Sequence, residues 1–352
     1  MQDFTFELRL PRVVFGAGAL QHLPRELDRL GARRALVLST PGQAALAQRA
    51  ATLLGPRAAG VFAQAVMHVP IETARAAQDA ARELGADCAI AIGGGSTTGL
   101  GKAIALDSGL AVIAIPTTYA GSEMTPVYGL TEAGAKKTGR DPRVLPRCVI
   151  YDPALSRELP FSITVVSMLN AIAHAAEGLY APDANPVVDL LAEQGIRAGA
   201  GALARLQHDP RSLEARGDAL VCAWLCGTVM GSITVGLHHK LCHTLGGAFK
   251  LPHAELHTVI LPHAMAYNAA AAPLAMARIA AALDTPDAPG GLFDLAARHG
   301  APTALKDIGM RAGDLDHAAD LAVLNPYPNP RALERSAILA LLQRAFDGTR
   351  PA

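Results

Sequence analysis

Up to about residue 155 the chain alternates short apolar runs with longer stretches at helical spacing, and beyond that point the β-rich runs stop. Residues 35–39, 60–65, 88–92 and 111–115 are short, mostly apolar runs, the pattern of strands buried on both faces as parallel strands are. Between them, residues 43–54 and 72–84 repeat alanine and leucine at helical spacing. Strand and helix in alternation predict an open, mostly parallel sheet covered on both sides, with ligands bound beyond the carboxyl ends of the strands. After Asp152-Pro153, residues 187–198, 219–237, 274–283 and 332–346 read as helices. The predicted organisation is an α/β domain over 1–155 and an all-α domain over 156–352, joined tightly with a cleft between them.

Composition narrows the functions open to such a chain. Hydrophobic residues make up 51% and charged residues 18%, which excludes a disordered chain and points to large buried surfaces, including a homodimer interface. Its 31 basic and 31 acidic residues cancel, so the basic footprint needed for nucleic acid or an anionic membrane is missing. The N-terminal Met-Gln-Asp-Phe-Thr-Phe-Glu lacks the features of a secretory leader, and five scattered cysteines fit reduced, buried thiols; a cytoplasmic protein is expected. Residues 219–237 carry no charge and approach the roughly 20 apolar residues of a membrane span. Their glycines, serine and threonines, followed at once by His238-His239-Lys240, fit a buried core helix better.

The strand at 88–92 runs straight into Gly93-Gly-Gly-Ser-Thr-Thr-Gly-Leu-Gly-Lys102 and then an apolar helix start. A glycine turn between strand and helix aims backbone N–H groups and the positive helix end at an anion, commonly a pyrophosphate. The usual spacings fail: Thr98 stands where G-x-G-x-x-G needs its third glycine, and Ala103 where a P-loop needs Ser or Thr. A second strand end, Pro116-Thr-Thr-Tyr-Ala-Gly-Ser-Glu123, supplies hydroxyls beside the first turn. The expected coenzyme contacts are Gly93, Gly94, Gly95, Ser96, Thr97, Lys102, Thr117, Thr118, Ser122 and Ser39, in a Rossmann-like dinucleotide-binding domain. Ser39-Thr40-Pro41 offers no acid for a ribose hydroxyl and no arginine for a 2′-phosphate, so NADH is expected with NADPH accepted.

Eight of the twelve histidines fall between His174 and His263. Asn170 and His174 are spaced to share one helix face, His239 and His243 repeat that spacing, and Pro252 sets a helix boundary at His253. Imidazole clusters of this kind serve metal binding or proton transfer near neutral pH. Lys240 stands where a His-Glu-x-x-His zinc protease needs glutamate, so that chemistry is excluded. His238, His257 and His263 read as structural residues or as supports of that group.

The chain resembles the iron-type (group III) alcohol dehydrogenases through Phe15-Gly-Ala-Gly18, Gly93-Gly-Gly-Ser96, Pro116-Thr-Thr118, Gly121-Ser-Glu123, Asp152-Pro153, His239-x-x-x-His243 and Pro252-His253. The resemblance implies a dinucleotide-binding α/β domain, a helical domain, and a metal held by an aspartate, the histidine four residues on, and two further histidines. Here those positions are Asn170, His174, His239 and His253, and Gly99 replaces the aspartate usual after the glycine turn. Without the carboxylate, three imidazoles and an amide hold a dication more weakly, leaving at most a remnant site for iron or zinc. Together with Pro116–Pro126 and Asn325-Pro-Tyr-Pro-Asn-Pro-Arg331, these departures resemble the branch of that superfamily that reduces maleylacetate, a dicarboxylate of aromatic degradation, to 3-oxoadipate. The resemblance then implies His243 and His253 as acid or polarising groups, with His174, His239, Asn170 and Tyr119 completing the catalytic pocket. Two alternatives stand beside it: a metal-dependent alcohol or polyol dehydrogenase, favoured by the retained histidines, and a noncatalytic dinucleotide sensor.

Overall fold

The computed structural model describes residues 4–132 and 135–351. The chain divides into two units: one comprises Arg9–Leu159 with Arg211–Leu220, the other Pro160–Pro210 and the chain from Val221 on, with the N-terminal residues up to Leu8.

In the first unit the strands are β1 (Arg12–Phe15), β2 (Ala35–Leu38), β3 (Ala58–Phe62), β4 (Cys88–Gly93), β5 (Ala111–Pro116), β6 (Val127–Glu132), β7 (Ala135–Arg140) and β8 (Cys148–Tyr151). The helices are α1 (Leu23–Arg29), α2 (Ala44–Leu54), α3 (Ile71–Glu83) and α4 (Gly95–Ser108). Six strands form one sheet in the order β1-β8-β5-β4-β2-β3, every pairing parallel, and β6 and β7 make a separate antiparallel hairpin. Strand alternation divides the core into two faces. Ile90, Ile92, Ile113 and Ile115 join leucines of α1 and alanines of α2, whereas Ala89, Ala91 and Val112 meet α3 and α4. Small residues draw α4 onto the sheet: a Cβ at Gly101 would stand 3.2 Å from Ala91 and 3.3 Å from Val112.

The parallel strands expected from the sequence are present, β3 being shifted to begin at Ala58. β1, β8 and the hairpin were not anticipated, the hairpin because it interleaves polar residues without a clean period. From β2 the chain adds β3 on one side and β4 on the other, so the strand order reverses between β2 and β4. Such a reversal opens a crevice at the carboxyl ends of the strands.

The second unit is helical. It contains α5 (Phe161–Gly178), α6 (Pro186–His208), α8 (Leu237–Phe249), α9 (His253–Asn268), α10 (Pro273–Leu283), α11 (Ala288–Arg298), α12 (Leu315–Val323) and α13 (Arg335–Asp347), while α7 (Leu213–Ser232) starts in the first unit. Helix α5 is buried from Thr164 to Gly178, as a central helix packed by α6, α9 and α11 must be.

The stretch 219–237, expected as one core helix, is broken: α7 ends at Ser232 and α8 departs from it at 97°. Thr228 and Ser232 donate to the carbonyls of Trp224 and Thr228, which weakens a helix end. The Asp183 carboxylate then captures the backbone N–H of Thr234, at 2.9 and 3.0 Å, and its hydroxyl at 2.8 Å. Among the described residues no single helix is long and apolar enough to cross a membrane.

Candidate active site

In the first unit the expected coenzyme residues converge at the strand-order reversal. Ser39 ends β2 and donates to the Thr40 carbonyl at 3.1 Å. Gln43, which the sequence reading overlooked, donates to Thr117 Oγ1 at 2.8 Å and so ties the turn after β2 to the turn after β5. The Thr117 N–H reaches the Gly93 carbonyl at 3.0 Å, joining the ends of β4 and β5. A Cβ on Gly93 would lie 2.8 Å from Gln43 Oε1, which leaves no room for a side chain, and one on Gly94 would lie a tight 3.1 Å from Thr118 Cγ2. Gly95 differs, since a Cβ there meets nothing within 4 Å.

Helix α4 begins at Gly95 with no side chain capping its N-terminus. Ser96 is half-buried beside it, and Thr97 Oγ1 is buried with no hydrogen-bond partner. Uncapped helix N–H groups, open space above Gly95 and an unsatisfied hydroxyl fit a phosphate-bearing group. The residues present therefore suit a dinucleotide.

Two of the expected site residues are fully buried. Lys102 is fully buried, and its ammonium donates to the carbonyls of Ser122 and Val127, each at 2.7 Å, and to Thr125 Oγ1 at 2.9 Å. Burial pushes its pKa down to about 7 against a smaller opposing pull from Glu123. Lys102 braces the Ser122 turn from beneath, and its donors are spent on the protein. Tyr119, expected in the catalytic set, has no exposed surface; its hydroxyl donates to Ser156 Oγ at 2.9 Å and accepts from the buried Arg216 guanidinium at 3.0 Å. These bonds make it a packing residue of the α/β unit.

In the helical unit, α5, α8 and α9 bring their histidines together. His174 stacks on His239 with centroids 5.2 Å apart, His239 lies 6.0 Å from His243, and His257 lies 5.2 Å from His239 and 4.4 Å from His253. Pro252 caps α9, so the boundary read from the proline does place His253 in the group. His238 and His257, read as structural or supporting residues, are full members, with His238 Nε2 2.9 Å from His257 Nδ1.

Glu177, one turn beyond His174, organises the cluster and was also overlooked, although its spacing from His174 made it findable. Its carboxylate binds His239 Nδ1, accepts the His238 backbone N–H at 2.8 Å and receives the Tyr180 hydroxyl at 3.3 Å. Burial alone would raise the Glu177 carboxyl, but His239 and the backbone N–H groups of Gly236 and His238 outweigh it, and the net shift is downward. Burial, and then the neighbouring imidazoles, hold His174, His238 and His257 well below the usual histidine range. Asn170 Oδ1, His174 Nδ1, His238 Nδ1, His239 Nε2 and His257 Nε2 are buried without a hydrogen-bond partner. So many unsatisfied polar atoms in one cluster mark a place built for a polar ligand. His263 lies outside these ring contacts on α9, its pKa lowered by burial to about 4.

Residues 11–153 match the model of the iron-containing alcohol dehydrogenases, and residues 164–346 match the C-terminal model of the Fe-containing alcohol dehydrogenase family. The chain belongs to the iron-containing alcohol dehydrogenase family. Like its other members it is an oxidoreductase. Within the family it is 67% identical over 351 residues to the maleylacetate reductase of Burkholderia cepacia, covering 100% of both chains. It is 54% identical to that of Pseudomonas knackmussii over 349 residues, 99% of each chain. The crystal structure of maleylacetate reductase from Agrobacterium tumefaciens superposes over 100% of both chains with a TM-score of 0.96 at 53% identity.

The family's metal fits this donor set poorly. Asn170 offers an amide where the resemblance implies a carboxylate, so the four residues expected as ligands, Asn170, His174, His239 and His253, carry no anion. Among the described residues, the group of His, Cys, Asp or Glu whose donor atoms all lie within 4.8 Å of one another is His238, Cys242 and His257, and two of those donors are hydrogen-bonded to each other.

Proposed function

We propose that this chain is a maleylacetate reductase, using NADH, with NADPH accepted, to reduce the carbon–carbon double bond of maleylacetate to 3-oxoadipate, and acting in the cytoplasm as a homodimer. The observation that carries the reading is the buried cluster of unsatisfied imidazole nitrogens around Asn170, in a chain whose full-length relatives bear that name. The domain roles follow: the α/β unit takes the coenzyme and the helical unit the substrate.

The coenzyme, when bound, supplies the hydride to the carbon β to the ketone. What remains for the protein is to stabilise the enolate and to deliver one proton to the adjacent carbon. His243 in its protonated form gives that proton, and His253 polarises the ketone oxygen. Asn170, His174 and His239 present unpartnered polar atoms that orient the substrate's polar end. Lys240, one turn before His243 on α8, meets a carboxylate of the dicarboxylate substrate.

NADH oxidation with maleylacetate, run before and after exhaustive chelation, tests this reading. Undiminished turnover supports it. Loss of activity in proportion to metal removed would restore the metal-dependent alcohol dehydrogenase, which the Glu177-held His239 favours, since metal-bound histidines are commonly braced in this way.

A further inference from the structure

Residues Asn325–Arg331, rich in proline, form a strap whose only aromatic side chain, Tyr327, reaches His243: its Oη lies 3.1 Å from His243 Nδ1, with the rings 6.0 Å apart and inclined by 70°. Pro326, Pro328 and Pro330 restrict the strap's backbone. Its far end is pinned twice. Asn329 and Asn268 exchange amide hydrogen bonds at 2.7 and 2.9 Å, and the Arg331 guanidinium lies 4.1 Å from the centre of the Tyr267 ring while donating to the Tyr267 carbonyl at 3.2 Å. The strap also needs the glycine at 236, where a Cβ would stand 2.9 Å from the Pro328 carbonyl oxygen and 3.2 Å from Glu177 Oε1.

We propose that Tyr327 is a positioning residue that fixes which nitrogen of His243 exchanges the catalytic proton. This rests on the maleylacetate reading. When the ring is protonated both nitrogens are donors, so Nδ1–H must donate to Tyr327 Oη, and the proton that leaves is the one on Nε2. Proton transfer then leaves a neutral imidazole with its hydrogen on Nδ1, and Nε2 recovers a proton from solvent for the next turnover. Burial, and next the Glu177 charge, raise the Tyr327 phenol, which keeps it uncharged as His243 cycles. The Lys240 ammonium lies 5.6 Å from the centre of the Tyr327 ring.

The test uses Tyr327→Phe, which keeps the ring and removes the oxygen. The ¹⁵N shifts of histidine-labelled protein, with His243→Ala assigning the signal, should show neutral His243 protonated on Nδ1 in the native enzyme and on Nε2 in the variant. Turnover should fall about tenfold, the size of a modest loss in proton-transfer catalysis, with KM unchanged for both substrates. Adding Tyr327→Phe to His243→Ala should cause no further loss. An unchanged His243 tautomer in the variant, or losses that multiply in the double variant, overturns the proposal. Because the ¹⁵N signal needs no turnover, it decides the tautomer even if maleylacetate is not the substrate, an outcome that would sink the functional reading alone.

Discussion

The Glu177 carboxylate holds Nδ1 of His239 and so turns the ring's other nitrogen, buried and unsatisfied, toward the polar cluster. A buried carboxylate bound to an imidazole and two backbone N–H groups is costly to disturb, since removing its charge leaves its donors without their partner. Glu177→Gln should lower unfolding stability by about 3 kcal/mol. Denaturant titration measures this, and a loss below about 0.5 kcal/mol would show that the carboxylate is not what holds His239.

The same cluster sets the expected pH response. His174, His238 and His257 have folded pKa values below the ordinary 6.5, so below that value the unfolded chain binds protons that the folded chain refuses. Their contribution is complete above 6.5 and is lost as pH falls toward the folded values. Glu177, also lowered, acts in the same direction at more acid pH. The urea midpoint should therefore decline steadily between pH 7 and pH 5, and a flat profile would contradict the burial of these rings.

Gly95→Val should abolish NADH binding in a folded protein. The open space above Gly95 means the new side chain meets no protein atom at its Cβ, so circular dichroism should be native. The branched group would occupy the place where a phosphate approaches the helix end. Calorimetric affinity should drop by roughly 100-fold or more, about 3 kcal/mol. Native affinity would place the phosphates elsewhere.

His243→Ala and His253→Ala should each lower maleylacetate turnover by roughly 100-fold, the usual size of a lost proton donor or polarising group. Steady-state kinetics at saturating NADH measures it. Turnover within threefold of native in either variant would remove that residue from the chemistry.

Asn170→Asp should raise affinity for zinc or ferrous iron, because one added negative charge at that position favours a bound cation. Metal content after dialysis, measured by mass spectrometry, reads the change. Equal metal content in native and variant chains would show that residue 170 does not face the ligand position.

The parallel sheet and both strand-end turns were legible because buried strands leave uninterrupted apolar runs, and Cys88–Gly93 and Ala111–Pro116 are such runs. The histidine group was legible by spacing alone for Asn170, His174, His239 and His243, since residues four apart share a helix face. Glu177 shares a face of α5 with His174 and was legible by the same spacing, whereas His257 and Tyr327 escaped because their roles depend on which segments pack together, and a helix period does not encode that. Lys102 and Tyr119 misled for a related reason. Both adjoin coenzyme motifs in the chain, yet Tyr119 answers to Arg216, 97 residues away, and Lys102 to the Ser122–Val127 segment, contacts that only the fold creates.

The clasp of Asp183 on Thr234, just before α8 begins at Leu237, has a rotational meaning. Each residue of a helix turns the next by about 100°, so the two residues between the start of α8 and His239 set the direction in which that ring leaves the helix. One residue added between Leu237 and His239, with the start of α8 held, would swing His239 and His243 together off the cluster without altering either side chain. The phase of α8 is thus as much a part of the imidazole site as the imidazoles themselves.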